Sequence, residues 1–252
     1  MRIIIHGIGG RMGGLTARAI ARGYRGATLV AGIDPTSPAD LPGAIPCTPT
    51  PDAALPPADV IIDFSHHRAT HALLAFARSR RLAAVIATTG HTESELSEIR
   101  AASGEIPIFL SANLSRGIYL LCRLIEQTDA AFPDAEVEII EAHHSHKRDA
   151  PGGTALTLLD ALCRNHPQRH AVLGRQGSGA RTPGEIGVHA IRAGNIPGTH
   201  TVLFATPTQH LILTHETTDP ALFAMGALDA AAFVLTQPPG LYGMEHLMAV
   251  EP

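Results

Sequence analysis

A cluster of glycines stands between an apolar strand and an amphipathic helix at the start of the chain. The strand pattern covers Arg2 to His6, the helical pattern covers Arg11 to Arg22, and the glycines occur in the run Gly7-Ile8-Gly9-Gly10-Arg11-Met12-Gly13. Glycines let the backbone turn tightly here and leave the N–H groups of the helix N-terminus open to an anion. The arrangement is typical of a Rossmann-like fold that holds the pyrophosphate of a dinucleotide.

An aspartate at the end of the second predicted strand strengthens this interpretation. Asp34 follows the apolar run Thr28 to Ile33, about 20 residues after the last glycine, where a carboxylate accepts hydrogen bonds from the adenine ribose. A carboxylate also repels the 2′-phosphate of NADP, and neither Pro35 nor Thr36 offsets that repulsion with a positive charge. We therefore expect NADH to be preferred over NADPH, with Arg11 able to weaken the preference by pairing with the phosphate. From these residues alone a second interpretation stays open: a glycine turn and a capping aspartate in an unrelated α/β protein.

The first half of the chain alternates predicted strands with predicted helices. This alternation predicts crossovers between parallel strands, and therefore a Rossmann-like, doubly wound parallel sheet of the α/β class. Besides the segments already named, strands are predicted at Val60 to Phe64, Ala83 to Ala87 and Ile106 to Leu110, and helices at Ala69 to Arg80 and Glu93 to Ala102.

The pattern changes after Asn113. The later part has a predicted helix at Gly117 to Ala131, a strand at Glu136 to Glu141, a second helix after Pro151 and several strands within Gly184 to Glu216. Consecutive strands without intervening helices predict a second, α+β domain with a mixed or antiparallel sheet, open on one face to a partner. An alanine-rich helix over Pro220 to Leu235 is expected to return to the first domain.

These patterns predict the domain organisation. We place a dinucleotide-binding domain at residues 1–113, a substrate-binding and oligomerisation domain at 114–216, and the returning C-terminal segment at 217–252. Two stretches, Pro35 to Pro57 and Gln168 to Gly184, have the composition of surface excursions, since one is rich in proline and the other in Gly, Arg and Ser.

The composition disfavours several classes of function. The formal net charge is −4, which gives no electrostatic excess for holding nucleic acid. No apolar run approaches the length of a membrane span, and the apolar opening is too short for a signal sequence. The cysteines Cys47, Cys122 and Cys163 form no closely spaced pair for zinc or redox chemistry, so a reducing cytoplasm fits best.

A second cluster of chemically active residues lies between a predicted strand and a predicted helix. It reads Glu141-Ala142-His143-His144-Ser145-His146-Lys147-Arg148-Asp149-Ala150-Pro151-Gly152-Gly153-Thr154-Ala155. Imidazoles exchange protons near neutral pH, an ammonium group such as Lys147 neutralises negative charge or donates a proton, and a helix N-terminus binds a carboxylate. The segment is therefore expected to bind and protonate an anionic substrate. Two alternatives stay open: a polar surface loop, and a metal site that Lys147 and Arg148 disfavour by repelling a cation.

Together the two segments resemble the two signatures of the 4-hydroxy-tetrahydrodipicolinate reductase family. The likeness continues in order along nearly the whole chain. Its further motifs are Asp63-Phe64-Ser65, Thr88-Thr89-Gly90, Ala112-Asn113-Leu114-Ser115, Arg192-Ala193-Gly194 and Gly198-Thr199-His200.

The resemblance implies an NAD(P)H-dependent oxidoreductase that reduces 4-hydroxy-tetrahydrodipicolinate, a small dicarboxylate ring, to tetrahydrodipicolinate in the diaminopimelate route of lysine biosynthesis. It implies that His143 and Lys147 are catalytic, and that His144, Gly153 and Thr154 bind the substrate carboxylates. A cytoplasmic homotetramer with no metal, nucleic acid or membrane partner is expected. The implied cofactor contacts are Gly7, Ile8, Gly9, Gly10, Arg11, Met12, Asp34, Ala87, Thr88, Thr89, Ser111, Ala112, Asn113 and Leu114.

Four positions depart from the pattern of that family. Gly152 stands where serine is common, Ala87 where a glycine precedes Thr88, Leu114 where an aromatic residue is common, and Thr199 where glutamate is usual. These changes are expected to affect affinity and cofactor preference more than the reaction. Two other functions are kept as alternatives: another two-domain NAD(P)-dependent dehydrogenase, and a non-catalytic dinucleotide sensor, in which the acid groups would have no use.

Overall fold

The structure, a computed structural model, describes residues 1–36, 45–164 and 166–249. The chain divides into two compact units: Met1–Ser115 with Ala221–Pro252, and Arg116–Pro220. Part of the predicted surface excursion from Pro35 to Pro57 lies outside the described residues.

The first unit alternates strands and helices in the predicted order. Short 3₁₀ turns at Tyr24–Gly26 and His67–Ala69 precede β2 and α2. The elements are β1 (Arg2–His6), α1 (Arg11–Ala21), β2 (Thr28–Ile33), β3 (Cys47–Thr48), β4 (Val60–Asp63), α2 (Thr70–Arg80), β5 (Ala83–Ile86), α3 (Glu93–Ala102) and β6 (Pro107–Leu110).

The second unit follows, and the chain then returns to the first. Within the described ranges, no helix combines the length and apolar character needed to cross a membrane. The elements of the second unit are α4 (Arg116–Ala131), β7 (Glu136–His143), α5 (Gly153–Cys163), β8 (His170–Leu173), β9 (Glu185–Arg192), β10 (Thr199–Ala205) and β11 (His210–Glu216). The returning elements are α6 (Ala221–Val234), β12 (Gly240–Tyr242) and α7 (Met244–Ala249).

Seven described strands of the first unit form a parallel sheet in the order β12-β6-β5-β4-β1-β2-β3. Ile3, Ile4 and Ile5 of β1 are all fully buried, because helices cover both faces of the sheet. The strand order reverses beside β1, and ligands of such sheets bind at the carboxyl ends of the strands next to that point. The predicted doubly wound Rossmann-like sheet is confirmed.

Helix α6 packs against α1 and β5. Its Asp229 accepts hydrogen bonds from the Tyr24 hydroxyl at 3.0 Å and from Arg25 Nε at 2.8 Å. A Cβ atom at Gly226 would lie 2.0 Å from the carbonyl oxygen of Leu114, so glycine lets α6 approach the chain that follows β6. The helix begins at Ala221, one residue after the predicted start at Pro220.

Five described strands of the second unit form a mixed sheet in the order β11-β10-β7-β9-β8. Strand β10 is antiparallel to β7 and β11, whereas β9 is parallel to β7 and β8. This confirms the predicted second sheet. Strand β8 corrects one prediction, because His170–Leu173 lies in the stretch from Gln168 to Gly184 that was predicted to be a surface excursion. Its four residues lie at the sheet edge and are mostly exposed, so they show no alternation.

Alternate residues of β7 face opposite sides of this sheet. Val137 and Ile139 are buried against α4 and α5. The same alternation places Glu141 and His143 on the side covered by these helices, at the carboxyl end of the strand. The apolar core thus ends in a group of polar side chains.

The opposite face of the second sheet is open and partly apolar. Ile140, Ile191 and Ile212 are 36%, 48% and 60% exposed. The open face predicted from the strand pattern is confirmed for the described residues.

Candidate active site

Glycines bring β1 and α1 into close contact in the first unit. Gly7 has φ of +81°, a left-handed conformation, and its carbonyl oxygen accepts a hydrogen bond from the Gly10 N–H at 3.1 Å. A Cβ atom at Gly13 would lie 2.3 Å from that same oxygen, closer than real contacts allow. Position 7 therefore requires glycine for its backbone conformation, and position 13 requires it for space.

The N-terminus of α1 has the properties of an anion site. Gly10 is its N-cap. Among the described residues, no side chain caps this end of the helix, and the first turn contains no acidic residue. Uncapped N–H groups and the helix dipole favour a negatively charged ligand there. The turn therefore fits the pyrophosphate of a dinucleotide.

Asp34 lies beside this turn. Its Oδ2 accepts a hydrogen bond from the Gly9 N–H at 2.9 Å, and its Oδ1 accepts from the Thr36 N–H and hydroxyl at 2.9 and 2.8 Å. Burial raises the pKa of this carboxyl, but the hydrogen bonds from Thr36 and Gly9 outweigh burial and hold the pKa below its ordinary value. The carboxylate is therefore ionised, and its remaining lone pairs can accept a ribose hydroxyl.

The other residues expected to contact the cofactor follow β5 and β6 at the same edge of the sheet. Thr88 is buried, and its hydroxyl lies 3.1 Å from Nε2 of His91. The Ser111 hydroxyl donates to the Asn113 carbonyl at 2.7 Å, so a local hydrogen bond stabilises the loop before Leu114. The structure thus gathers the predicted cofactor residues at the carboxyl edge of one sheet.

Asp63 lies at this edge and stands in one of the motifs of the resemblance, but it was not predicted as a site residue. It is fully buried at the end of β4, where its Oδ1 accepts hydrogen bonds from the Ser65 N–H at 3.1 Å and hydroxyl at 2.6 Å. The same oxygen lies 3.0 Å from Nδ1 of His6, the last residue of β1. Asp63 therefore lies against the end of β1, where the glycine turn begins.

A buried ion network occupies the carboxyl end of β7 in the second unit. Glu141 is 0% exposed, and Arg192 of β9 donates to its two oxygens at 2.8 and 2.6 Å. The Gly152 N–H donates to the same carboxylate at 3.0 Å. Burial raises the pKa of Glu141, but the hydrogen bonds from Arg192, His143 and Gly152 outweigh burial and hold the pKa below its ordinary value.

His143 is the second member of this network. Its Nδ1 lies 2.5 Å from Oε2 of Glu141, and its carbonyl accepts a hydrogen bond from the Ala193 N–H at 2.9 Å. Its ring stands edge to face against the ring of His200, with 5.2 Å between centroids. Contacts therefore fix both the ring and the backbone of His143.

The histidine segment is an ordered turn bonded to a distant part of the sequence. The Ser145 N–H donates to the Gly194 carbonyl at 3.1 Å, and the Lys147 N–H donates to the His144 carbonyl at 3.1 Å. The rings of His144 and His146 lie 6.3 Å apart. Among residues 1–36, 45–164 and 166–249, no group of three or more His, Cys, Asp or Glu side chains is arranged to hold a metal ion.

Lys147 lies close to the start of α5. Its Nζ is 2.8 Å from Oδ1 and 2.9 Å from Oδ2 of Asp149, and this hydrogen-bonded ion pair lowers the pKa of Asp149. A Cβ atom at Gly152 would lie 2.9 Å from Cε of Lys147. Glycine at position 152, where serine is common in the resembled family, therefore leaves room for the lysine side chain.

Two of the predicted substrate-binding residues form the first turn of α5. The helix begins at Gly153, with Gly152 as N-cap, and the described residues provide it with neither a side-chain cap nor an acidic first turn. Thr154 follows directly. The helix dipole at this end favours a carboxylate. His144 lies at the start of the turn that leads to this helix.

His200 was missed as a site residue. It is 4% exposed on β10, and its partners in strand register are Glu141 on β7 and His215 on β11. Within the described chain, neither ring nitrogen of His200 has a hydrogen-bond partner. Burial, together with a smaller contribution from the neighbouring His143, lowers the pKa of His200 to about 4. The ring is therefore neutral at pH 7.

Glu141 and Arg192 were also given no role in the sequence analysis, although both stand in quoted motifs. The available signal was the alternation of β7, in which Glu141 takes the same face as Val137 and Ile139. A carboxylate at a buried position of a strand requires a cationic partner. The identity of that partner could not be read from spacing, because Arg192 is far away in the sequence.

Sequence models of one family match both parts of the chain. The model described as the N-terminus of dihydrodipicolinate reductase matches residues 1–114, and the model described as its C-terminus matches residues 117–248.

Relatives with similar sequences carry one enzyme name. The 4-hydroxy-tetrahydrodipicolinate reductase of Caldanaerobacter subterraneus subsp. tengcongensis is 42% identical over 251 residues, which cover 98% of each chain. The enzyme of the same name from Exiguobacterium sp. is 41% identical over 98% of this chain and 95% of its own.

Solved structures of similar fold include a dipicolinate-bound dihydrodipicolinate reductase from Paenisporosarcina sp. TG-14. It has a TM-score of 0.80 and 23% identity, and the match covers 98% of both chains. A myo-inositol dehydrogenase from Corynebacterium glutamicum has a TM-score of 0.56 and 18% identity, with 95% of this chain and 90% of its own covered. At these identities the likeness shows the fold alone.

Proposed function

The chain belongs to the dihydrodipicolinate reductase family, and from this membership we infer that it is an NAD(P)H-dependent oxidoreductase that reduces 4-hydroxy-tetrahydrodipicolinate, whose hydroxyl leaves as water, to tetrahydrodipicolinate. This reaction is part of the diaminopimelate route of lysine biosynthesis. The observation that carries the conclusion is the full-length similarity to enzymes of that name, 42% identical over 98% of the chain.

The residues of the first unit fit a nicotinamide dinucleotide. Gly7 to Met12 would hold the pyrophosphate at the N-terminus of α1, and Asp34 would hold the adenine ribose. The loops Ala87 to Thr89 and Ser111 to Leu114 would complete the binding site. When bound, the cofactor supplies the hydride.

We propose a preference for NADH over NADPH. The carboxylate of Asp34 is ionised and fixed by the N–H groups of Gly9 and Thr36, so it would repel a 2′-phosphate. Arg11 is the residue through which NADPH would still bind.

The substrate carboxylates would be held in the second unit. Lys147 supplies a positive charge, and the N-terminus of α5 at Gly153 and Thr154 supplies a dipole with its positive end toward the ligand. His144 would complete the binding site for the carboxylates. Two anionic groups on one ring call for several cationic or N–H donors, and this turn supplies them.

His143 would deliver a proton to the ring carbon that the reduction leaves electron-rich. Its Nδ1 is engaged by Glu141, so Nε2 is the nitrogen that exchanges the proton. Lys147 would be the second proton donor and would neutralise negative charge as it develops.

A coupled assay tests this function. The product of dihydrodipicolinate synthase is supplied to the purified protein with NADH or NADPH, and both cofactor oxidation and tetrahydrodipicolinate formation are followed. We expect equimolar oxidation and product, faster with NADH. Another dehydrogenase, or a dinucleotide sensor, would leave the cofactor reduced in both arms.

We also propose a homotetramer that works in the cytoplasm. The apolar residues Ile140, Ile191 and Ile212 on the open sheet face support association, and the free thiols of the three cysteines support a reducing compartment. Sedimentation of the wild type should give the mass of four chains, and Ile212→Glu should give a smaller species. A wild-type monomer would contradict the proposal.

A further inference from the structure

Glu141 is a buried carboxylate that accepts hydrogen bonds from four donors. Its two carboxylate oxygens accept from Nη1 and Nη2 of Arg192, from the Gly152 N–H and from Nδ1 of His143, all within 3.0 Å. A carboxylate without exposure is stable only with such complete pairing. The network therefore holds a fixed negative charge at a fixed point on β7.

The Glu141 carboxylate contacts one nitrogen of the His143 ring, Nδ1. The 2.5 Å contact with Oε2 requires a proton on Nδ1, because an ionised carboxylate is only an acceptor. The proton therefore occupies Nδ1 in the neutral ring, and Nε2 becomes the nitrogen that gains or loses a proton. Nε2 lies beside Gly198, where a Cβ atom would come within 3.1 Å of it.

We propose that Glu141, anchored by Arg192, is a positioning residue that fixes the orientation and tautomer of His143, so that Nε2 delivers the proton. The inference rests on the proposed role of His143 in reduction. Glu141 does not touch the reacting atoms and acts only through the imidazole. A carboxylate that orients a histidine in this way is a general device of proton-transfer sites.

His200 fits the same arrangement. Its ring packs edge to face on His143 on the side of β10. Because burial keeps His200 neutral, it places no second positive charge beside His143 when that ring is protonated. One neighbour of His143 thus supplies a negative charge and the other only a surface for packing.

A purely structural role for Glu141 makes a different prediction. Glu141 also joins β7 to β9 through Arg192 and to the start of α5 through Gly152. If this joining were its whole task, Glu141→Gln would weaken folding and substrate binding whether or not His143 were present. A positioning role predicts a loss of turnover that requires His143.

The test is a double-mutant cycle of Glu141→Gln and His143→Ala in the coupled assay. We expect Glu141→Gln to lower kcat by about 100-fold in the wild-type background and by less than about 3-fold in the His143→Ala background. The dissociation constant of dipicolinate, used as a dicarboxylate probe, should stay within about 3-fold of wild type in Glu141→Gln. The solvent isotope effect on kcat should increase, because proton delivery becomes slower.

Asp129→Asn is the matched control. Asp129 is a buried carboxylate of the same unit, paired with Arg169 at 2.7 Å and His166 at 3.0 Å, near the opposite ends of the parallel strands. Its loss should lower thermal stability but leave kcat and the solvent isotope effect unchanged. A similar loss of kcat in both variants would overturn the positioning role.

The remaining outcomes separate this inference from the proposed function. No turnover by the wild type, or full turnover by His143→Ala, rejects the proposed function or the role of His143. If His143→Ala loses turnover but Glu141→Gln keeps it, or if the two losses multiply, only the positioning role is rejected. Should Glu141→Gln fail to fold, Glu141→Gln/Arg192→Met removes both charges and enters the same cycle, with the same expected result.

Discussion

The two sites hold their residues by different means. In the first unit, the glycine turn is built from backbone, and its tightness depends on the missing side chains of Gly7 and Gly13. In the second unit, His143 is held by the charged side chain of Glu141, and Arg192 of the neighbouring strand holds Glu141. A backbone site offers fixed N–H donors to a ligand that carries its own chemistry, whereas a side-chain site offers groups that exchange protons. The contrast supports the proposed division of labour, in which the first site binds the cofactor and the second delivers the proton.

The largest effect is expected at His143, the proposed proton donor. His143→Ala should lower kcat by about 100- to 10,000-fold, the usual contribution of general acid catalysis. Steady-state kinetics with saturating NADH measure this loss. Near-normal turnover would show that the second site does not deliver the proton.

Lys147 extends this comparison, because we propose that it both binds the substrate and donates a proton. Lys147→Ala should lower kcat/KM by about 10- to 100-fold, through a lower kcat and a higher KM, since a charge-assisted bond to a carboxylate is lost. Its neighbour Arg148 is exposed and provides the matched control. Equal losses in Lys147→Ala and Arg148→Ala would indicate a general effect of positive charge.

A substitution in the glycine turn should weaken the binding of NADH. Gly13→Ala places a Cβ atom 2.3 Å from the Gly7 oxygen, so the turn must open, and the dissociation constant of NADH should rise by about 10- to 100-fold. At Gly14, a Cβ atom would make only an ordinary contact of 3.5 Å with Arg18, which makes Gly14→Ala the control. Equal NADH affinities in the two variants would contradict the tight turn.

The buried histidine predicts a stability effect that depends on pH. The pKa of His200 falls from its ordinary value of 6.5 to about 4 on folding, so the unfolded chain binds more protons between these values. Stability is therefore present above pH 6.5 and is lost as the pH falls toward 4. Between pH 7 and pH 5 this group should cost about 2 kcal/mol of unfolding free energy. Urea unfolding of His200→Leu should lack that part of the decrease, and an unchanged decrease would reject the assignment.

The smallest effect is expected in cofactor choice. Asp34→Ser removes the charge that opposes a 2′-phosphate and should raise the ratio of kcat/KM for NADPH over NADH by about 10-fold. The kcat with NADH should change little, since Asp34 is assigned only to binding. An unchanged ratio would remove Asp34 from the discrimination.

Most of the first sheet could be predicted because its main strands are apolar runs separated by helical patterns. Strands β1 and β2 and helix α3 have the predicted ends. Strands β3 and β12, with two and three residues, were not predicted because such short segments carry no periodicity. Strand β8 was missed because it is short and exposed at the edge of its sheet.

The two candidate sites were predictable to different extents, because one is built from adjacent residues and the other from residues far apart in the sequence. A glycine turn is local, so its residues are adjacent in sequence and its spacing is informative. The network around His143 joins residues on β7, β9 and β10, and only strand pairing brings Arg192 and His200 to Glu141. Local patterns identify the histidine and the lysine, but they do not identify the side chains that hold them.

The separation of the two tasks is tested most directly by titrating NADH into His143→Ala and following the fluorescence of the bound cofactor. We predict a dissociation constant equal to that of the wild type, in a protein that has lost its turnover. A dissociation constant as high as that of Gly13→Ala would show that cofactor binding depends on His143. That result would contradict the division of labour.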